Sequence, residues 1–94
     1  MRLRWTRSAS HDIDGIGTFI AKDNPAAADR LLDLIRTSAQ RLLDYPTIGR
    51  AGRVAGTREL VIVGTPYLVV YRIGEDSIDI VAVLHGARKW PKAL

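Results

Sequence analysis

Between Tyr45 and Gly56 the apolar pattern of the chain changes period, and this change limits the fold more than any other feature. Upstream of it, Ala9, Ile13, Ile16 and Ile20 fall at helical spacing, followed by a second stripe of Ala28, Leu31, Leu32, Ile35, Ala39, Leu42 and Leu43. Downstream, Arg58–Val63, Tyr67–Ile73 and Ile78–Leu84 are rich in valine, isoleucine and tyrosine, as strands are. Gly64-Thr65-Pro66 and Gly74-Glu75-Asp76 supply tight turns, so these three runs are expected to form an antiparallel meander. Arg2–Thr6 alternates polar and apolar, the period of a half-buried strand. The predicted order is β-α-α-β-β-β. A hairpin of helices has to bury its stripes against one sheet face, which gives a two-layer α+β sandwich with a mainly antiparallel sheet.

Local signals punctuate this plan. Thr6 or Ser8 can cap the first helix, and Asn24-Pro25 restarts the second with an N-cap residue and proline at the first helical position. The hairpin turn therefore falls near Lys22–Asn24. Gly15 and Gly17 weaken the first helix by up to ~1 kcal/mol each but permit close approach by its neighbour. Asp29, Arg30, Asp33, Arg36 and Arg41 form the solvated face of the second helix, and Pro46 ends it. Val61-Ile62-Val63 and Val81-Ala82-Val83 are apolar on both faces. They suit strands covered by helices on one side and by a partner or the chain's end on the other.

Ninety-four residues make one domain, spanning positions 1–94. With no cysteine, a disulfide framework and a thiolate zinc site are both excluded, and a reducing cytoplasm suits the chain. The two histidines, His11 and His85, are far apart, so no metal site is expected. No apolar run has the length of a signal peptide, nor the ~18 residues of a membrane span. The net charge of +4 favours an anionic partner such as nucleic acid, a ribonucleoprotein or an acidic protein segment, or serves only solubility.

The common catalytic constellations are missing. There is no nucleophile elbow, no phosphate-binding glycine loop and no paired-carboxylate cluster. Gly49-x-x-Gly52 lacks the lysine and following helix of a P-loop and reads as a bend. What remains is a basic and aromatic set: Arg50, Arg53, Arg58, Tyr67, Tyr71, Arg72, His85, Arg88, Lys89 and Trp90.

Here the chain resembles the RelE/ParE superfamily of bacterial type II toxins. The resemblance runs through Asn24-Pro25-x-Ala27-Ala28, Pro46-x-x-Gly49-Arg50, Gly56-Thr57-Arg58-Glu59-Leu60, Pro66-Tyr67 with Tyr71-Arg72, and Val83-Leu84-His85-Gly86-Ala87-Arg88. It implies a chromosomal or plasmid-stabilising toxin–antitoxin pair, growth arrest by the free toxin, no cofactor, and a hetero-oligomer with a cognate antitoxin. An acidic, poorly ordered antitoxin segment would lie between helical hairpin and sheet or add along a sheet edge. The superfamily contains ribosome-dependent enzymes that cut mRNA and non-enzymatic inhibitors of DNA gyrase. The ribonuclease branch places lysines and an arginine where this chain has Val61, Val63 and Leu68, and an apolar strand cannot clamp a phosphate. The gyrase branch fits better, with no catalytic residue assigned and with Arg50, Arg53, Arg58, Tyr67, Arg72, Arg88, Lys89 and Trp90 as candidates for binding target or antitoxin.

The alternatives are an endoribonuclease on the ribosome built from His85, Arg58, Arg72 and Arg88, and a degenerate module that only binds antitoxin. His85 would supply the acid or base and the arginines the phosphate site. Each residue also has a structural reading. His85 would end a strand and bond turn backbone, Arg58-Glu59 would be an ion pair, Arg72 would snorkel at a sheet edge, and Trp90 would pack the tail over the sheet.

Overall fold

The computed structural model describes residues 1–88, 90–92 and 94. Strand β1 (Arg2–Trp5) leads into helix α1 (Arg7–Ala21) and helix α2 (Pro25–Gln40), with a 3₁₀ turn at Arg41–Leu43. Strands β2 (Arg50–Ala51), β3 (Arg58–Val61), β4 (Tyr67–Ile73) and β5 (Ser77–His85) follow. They form one five-stranded sheet in the order β1-β5-β4-β3-β2. Only the β1–β5 pair is parallel. The α+β sandwich is as expected, with one short strand added.

The helices start where their caps allow. The Thr6 hydroxyl accepts from the Ala9 N–H at 3.2 Å, and Asn24 Oδ1 accepts from the Ala27 N–H at 3.0 Å. Gly17 lets the helices close, since a Cβ there would lie 3.0 Å from Leu32 Cδ1. Gly15 does not share this role, because nothing lies within 4 Å of its would-be Cβ.

The helix-facing core joins Ala9, Ile13, Ile35, Ala39 and Leu42 to Ile62, Val69, Tyr71, Ile78, Ile80 and Val83. On the opposite side Leu68, Val70 and Ala82 are covered by the tail through Trp90 and Leu94. One sheet thus has two apolar faces, and the end of the chain closes the second. Trp90 packs the tail over the sheet as its structural reading required, and the expectation for Val81-Ala82-Val83 holds. It fails for the other apolar triplet: β3 stops at Val61, and Val61 and Val63 are 45% and 86% exposed. Val63 lies in the turn to β4, which the Thr65 N–H closes by donating to the Ile62 carbonyl at 3.1 Å.

At the other edge, Arg4 grips Asp79 through two 3.1 Å bonds, and the Ser77 hydroxyl donates to the same carboxylate at 2.8 Å. Ser77 first, then Arg4, hold the Asp79 carboxyl below its ordinary range. No helix among the described residues is long and apolar enough to cross a membrane.

Candidate functional site

The sheet register distributes the basic and aromatic set over three places. Neighbouring strand residues point to opposite faces, so Tyr71 and Arg72 part company at once. On the tail side, Arg50 donates to Glu59 Oε1 from Nε at 3.3 Å and Nη2 at 3.1 Å. The Arg53 N–H donates to Glu59 Oε2 at 2.8 Å. The Arg53 side chain then crosses to the Gly86 carbonyl at 3.1 Å and lies 3.9 Å from the Trp90 ring centroid. Trp90 Nε1 donates to the His85 carbonyl at 3.3 Å, and Arg72 Nη2 to the Leu94 carbonyl at 3.3 Å.

Two structural readings of the sequence are corrected here. Glu59 is an ion-pair partner of Arg50 and not of Arg58, because antiparallel pairing sets Arg50 opposite Glu59. Arg72 is not at a sheet edge, because β4 is the central strand.

Arg58 works on the other side. Its Nη1 donates to the Gly49 carbonyl at 2.8 Å and to the Thr47 carbonyl at 3.3 Å. The Gly49 N–H donates to the Tyr71 hydroxyl at 3.0 Å, and that hydroxyl donates to the Pro46 carbonyl at 2.7 Å. The Gly49 segment is therefore a bend pinned by an arginine and a buried tyrosine. Burial raises the Tyr71 pKa above its ordinary 10.0, against the opposing pull of the Gly49 N–H and the Arg58 charge.

The third place is a cleft of about 470 Å³ between α1 and the end of β5. Tyr67, His85 and Arg88 line it together with His11, Asp12, Gly15, Ile16 and Phe19. His85 Nδ1 accepts from the Ala87 N–H at 3.1 Å, as its structural reading required. Its ring meets Tyr67 edge-on at 5.6 Å between centroids. The Arg88 guanidinium lies 5.9 Å from the Phe19 centroid. Lys89, the remaining candidate, lies outside the described residues.

The α1 side of this cleft was not singled out from sequence. The available signal was the four-residue spacing of His11, Gly15 and Phe19, a second stripe beside the buried one. Asp12 Oδ2 accepts from the Val83 N–H at 3.0 Å. Burial pushes the Asp12 carboxyl up, outweighing the Val83 bond and the nearby His11. A raised carboxyl pKa means the native state holds that proton more tightly than the unfolded chain, so stability falls as pH rises from about 3.8 through the folded value. Asp12→Asn is expected to melt above wild type at pH 7, with the gap closing as both are titrated to acid. A gap independent of pH would refute the assignment.

The ParE toxin of type II toxin–antitoxin system family model, parDE, matches residues 3–90. The protein Y4kP of Sinorhizobium fredii is 44% identical over 93 residues, covering 99% of this chain and 96% of the relative. Toxin RelE2 of Caulobacter vibrioides is 37% identical over 84 residues, covering 89% of this chain and 93% of the relative. In a solved structure of the chromosomal ParDE TA system from P. aeruginosa, a chain 26% identical superposes with a TM-score of 0.83, covering 90% of this chain and 95% of that one. The match thus runs from β1 through β5 into the tail, and the chain belongs to the ParE toxin family of type II toxin–antitoxin systems, within the RelE/ParE superfamily.

Proposed function

We propose that this toxin acts by binding DNA gyrase in the cytoplasm, performs no RNA cleavage, and is neutralised by a cognate antitoxin. The observation that carries this reading is the dispersal of its cations. Phosphodiester cleavage needs an acid, a base and a charge clamp converging on one phosphate. Here Arg50, Arg53, Arg58 and Arg72 are each engaged within the fold by a carboxylate or a backbone carbonyl, Arg58 on the opposite side of the sheet from the other three. The strand positions that would carry further cations hold Val61 and Val63, both exposed, and Leu68, buried under the tail. Among the four residues of the ribonuclease alternative, His85 and Arg88 share a cleft, and Arg58 and Arg72 lie elsewhere.

The test sets the two activities side by side. Purified toxin is expected to block supercoiling by gyrase or to trap gyrase on cleaved DNA. Expression in cells should arrest growth with transcripts intact, and His85→Ala should arrest growth within about twofold of wild type. Intact gyrase activity, together with codon-positioned mRNA cuts that vanish in His85→Ala, would replace this reading with the ribonuclease.

A further inference from the structure

Gly15 is a helical glycine that packing does not explain. It weakens α1, is exposed, and has nothing within 4 Å of its would-be Cβ. What its missing side chain leaves open is the cleft of about 470 Å³ between α1 and the end of β5, a size ordinary for small-molecule sites. His11 and Phe19 stand four residues to either side of it on the same helix face. The opposite wall is a fixed turn. Tyr67 pairs with His85 across β4 and β5, the Gly86 N–H donates to the Pro66 carbonyl at 2.8 Å, and the Arg88 N–H donates to the His85 carbonyl at 3.2 Å. Tyr67, His85 and Arg88 thus line the cleft from backbone already held in place.

We propose that this cleft binds a mononucleotide, with its phosphate at Tyr67, His85 and Arg88 and its base on Phe19. The inference goes beyond the gyrase reading and does not depend on it. Arg88 provides the charge. Among the arginines of the basic set, it alone has a guanidinium that makes no hydrogen bond or ion pair to the described residues. His85 provides a directed donor. Its Nδ1 accepts from the Ala87 N–H, so the neutral ring carries its proton on Nε2, where it can donate to an anion. Tyr67 provides another. The residue is only 8% exposed, yet no fully buried side-chain polar atom among the described residues lacks a partner. Its hydroxyl bonds to none of the described residues and therefore opens to solvent in the cleft it lines.

Asp12 is the one carboxylate in the lining, and it is turned to the Val83 N–H, so it does not compete for these donors. Phe19 supplies the platform. Its ring is 59% exposed, and the Arg88 guanidinium lies 5.9 Å from its centroid. A base stacked on that ring would carry its phosphate toward the cation. An anion alone would leave the exposed aromatic without a role, and an apolar ligand would leave the donors unanswered.

The experiment titrates intact toxin with adenosine 5′-monophosphate, adenosine and inorganic phosphate, followed by calorimetry and amide chemical shifts. The nucleotide is expected to bind roughly tenfold or more tightly than either fragment, and to shift amides within 15–19 and 83–88. Gly15→Leu, which fills the space, and Arg88→Glu, which reverses the charge, should each weaken it roughly tenfold or more. Phe19→Ala should lower its affinity to the level of inorganic phosphate. Arg30→Glu, a matched charge reversal on the solvated face of α2, should bind within about twofold of wild type. Melting curves confirm that each variant is folded. No saturable binding to wild type, or wild-type affinity in both Gly15→Leu and Arg88→Glu, overturns the site. Inorganic phosphate binding as tightly as the nucleotide overturns the place given to the base. A short single-stranded RNA that shifts the same amides while the mononucleotide does not would replace the proposal with a polymer site.

Discussion

Replacing Arg50 with alanine is expected to cost the fold about 3 kcal/mol, although the arginine side chain is itself 59% exposed. The reason lies in its partner. Glu59 is 2% exposed on a strand between β2 and β4, and a carboxylate there is tolerable only while its charge is answered. Arg50 provides the counter-charge, and the Arg53 N–H provides one further bond. Removing the arginine strands a buried charge, which is far more costly than losing a surface ion pair. For a domain of this size the melting temperature should fall by roughly 12–24 °C.

A double-mutant cycle identifies the cause. Glu59→Gln made in the Arg50→Ala background should recover part of the loss, because it removes the stranded charge while keeping an acceptor for Arg53. If Arg50→Ala melts with wild type, or Glu59→Gln brings no recovery, the pair does not bear the weight assigned to it. The loss should also reach the tail, since the loop held by Glu59 carries the guanidinium that stacks on Trp90.

Tyr71 should prove still more sensitive. It is fully buried at the centre of the sheet, and its hydroxyl is the only contact described that joins the Gly49 N–H to the Pro46 carbonyl. Tyr71→Phe keeps the ring and leaves that N–H without its partner, an expected cost of about 2 kcal/mol. Tyr71→Ala adds a cavity between sheet and helices, and the total should exceed ~4 kcal/mol. The titration gives an independent sign. With the pKa raised in the native state, wild type should lose stability as pH climbs past 10.0, where the unfolded tyrosine ionises first. Tyr71→Phe lacks this contribution, so the two melting curves should converge in alkali. Parallel curves would mean that the hydroxyl is not buried as described.

Much of this architecture could be read from residue order. The β4 limits, Tyr67–Ile73, follow from a run of β-formers closed by proline and glycine, and both helix starts follow from capping residues whose bonds are local. β2 could not be read that way. Arg50-Ala51 has no period of its own, and it is a strand only because Glu59 lies opposite. Val63 is expected in a strand on propensity, but it falls in the turn between β3 and β4 that the Ile62 carbonyl and the Thr65 N–H close.

The candidate site was less legible for the same reason on a larger scale. Residues adjacent in sequence, such as Tyr71 and Arg72, end on opposite faces, while Tyr67 and His85 meet across a register set by a bulge fourteen positions beyond Tyr67. Basic residues were visible from composition. What each one holds was decided by pairings between distant segments, and Arg53, Arg58 and Arg72 hold the protein's own backbone.

The parallel β1–β5 pair bears on when in synthesis the fold can be completed. Residues 2–5 are made first, yet their partners are residues 77–80, and Asp12 waits likewise for Val83. A growing chain released at ~5–20 residues per second can form its helical hairpin early, since those contacts are local. It cannot complete its sheet until residues 77–80 have been made. A chain interrupted before residue 77 is therefore an unfinished hairpin with an orphaned first strand.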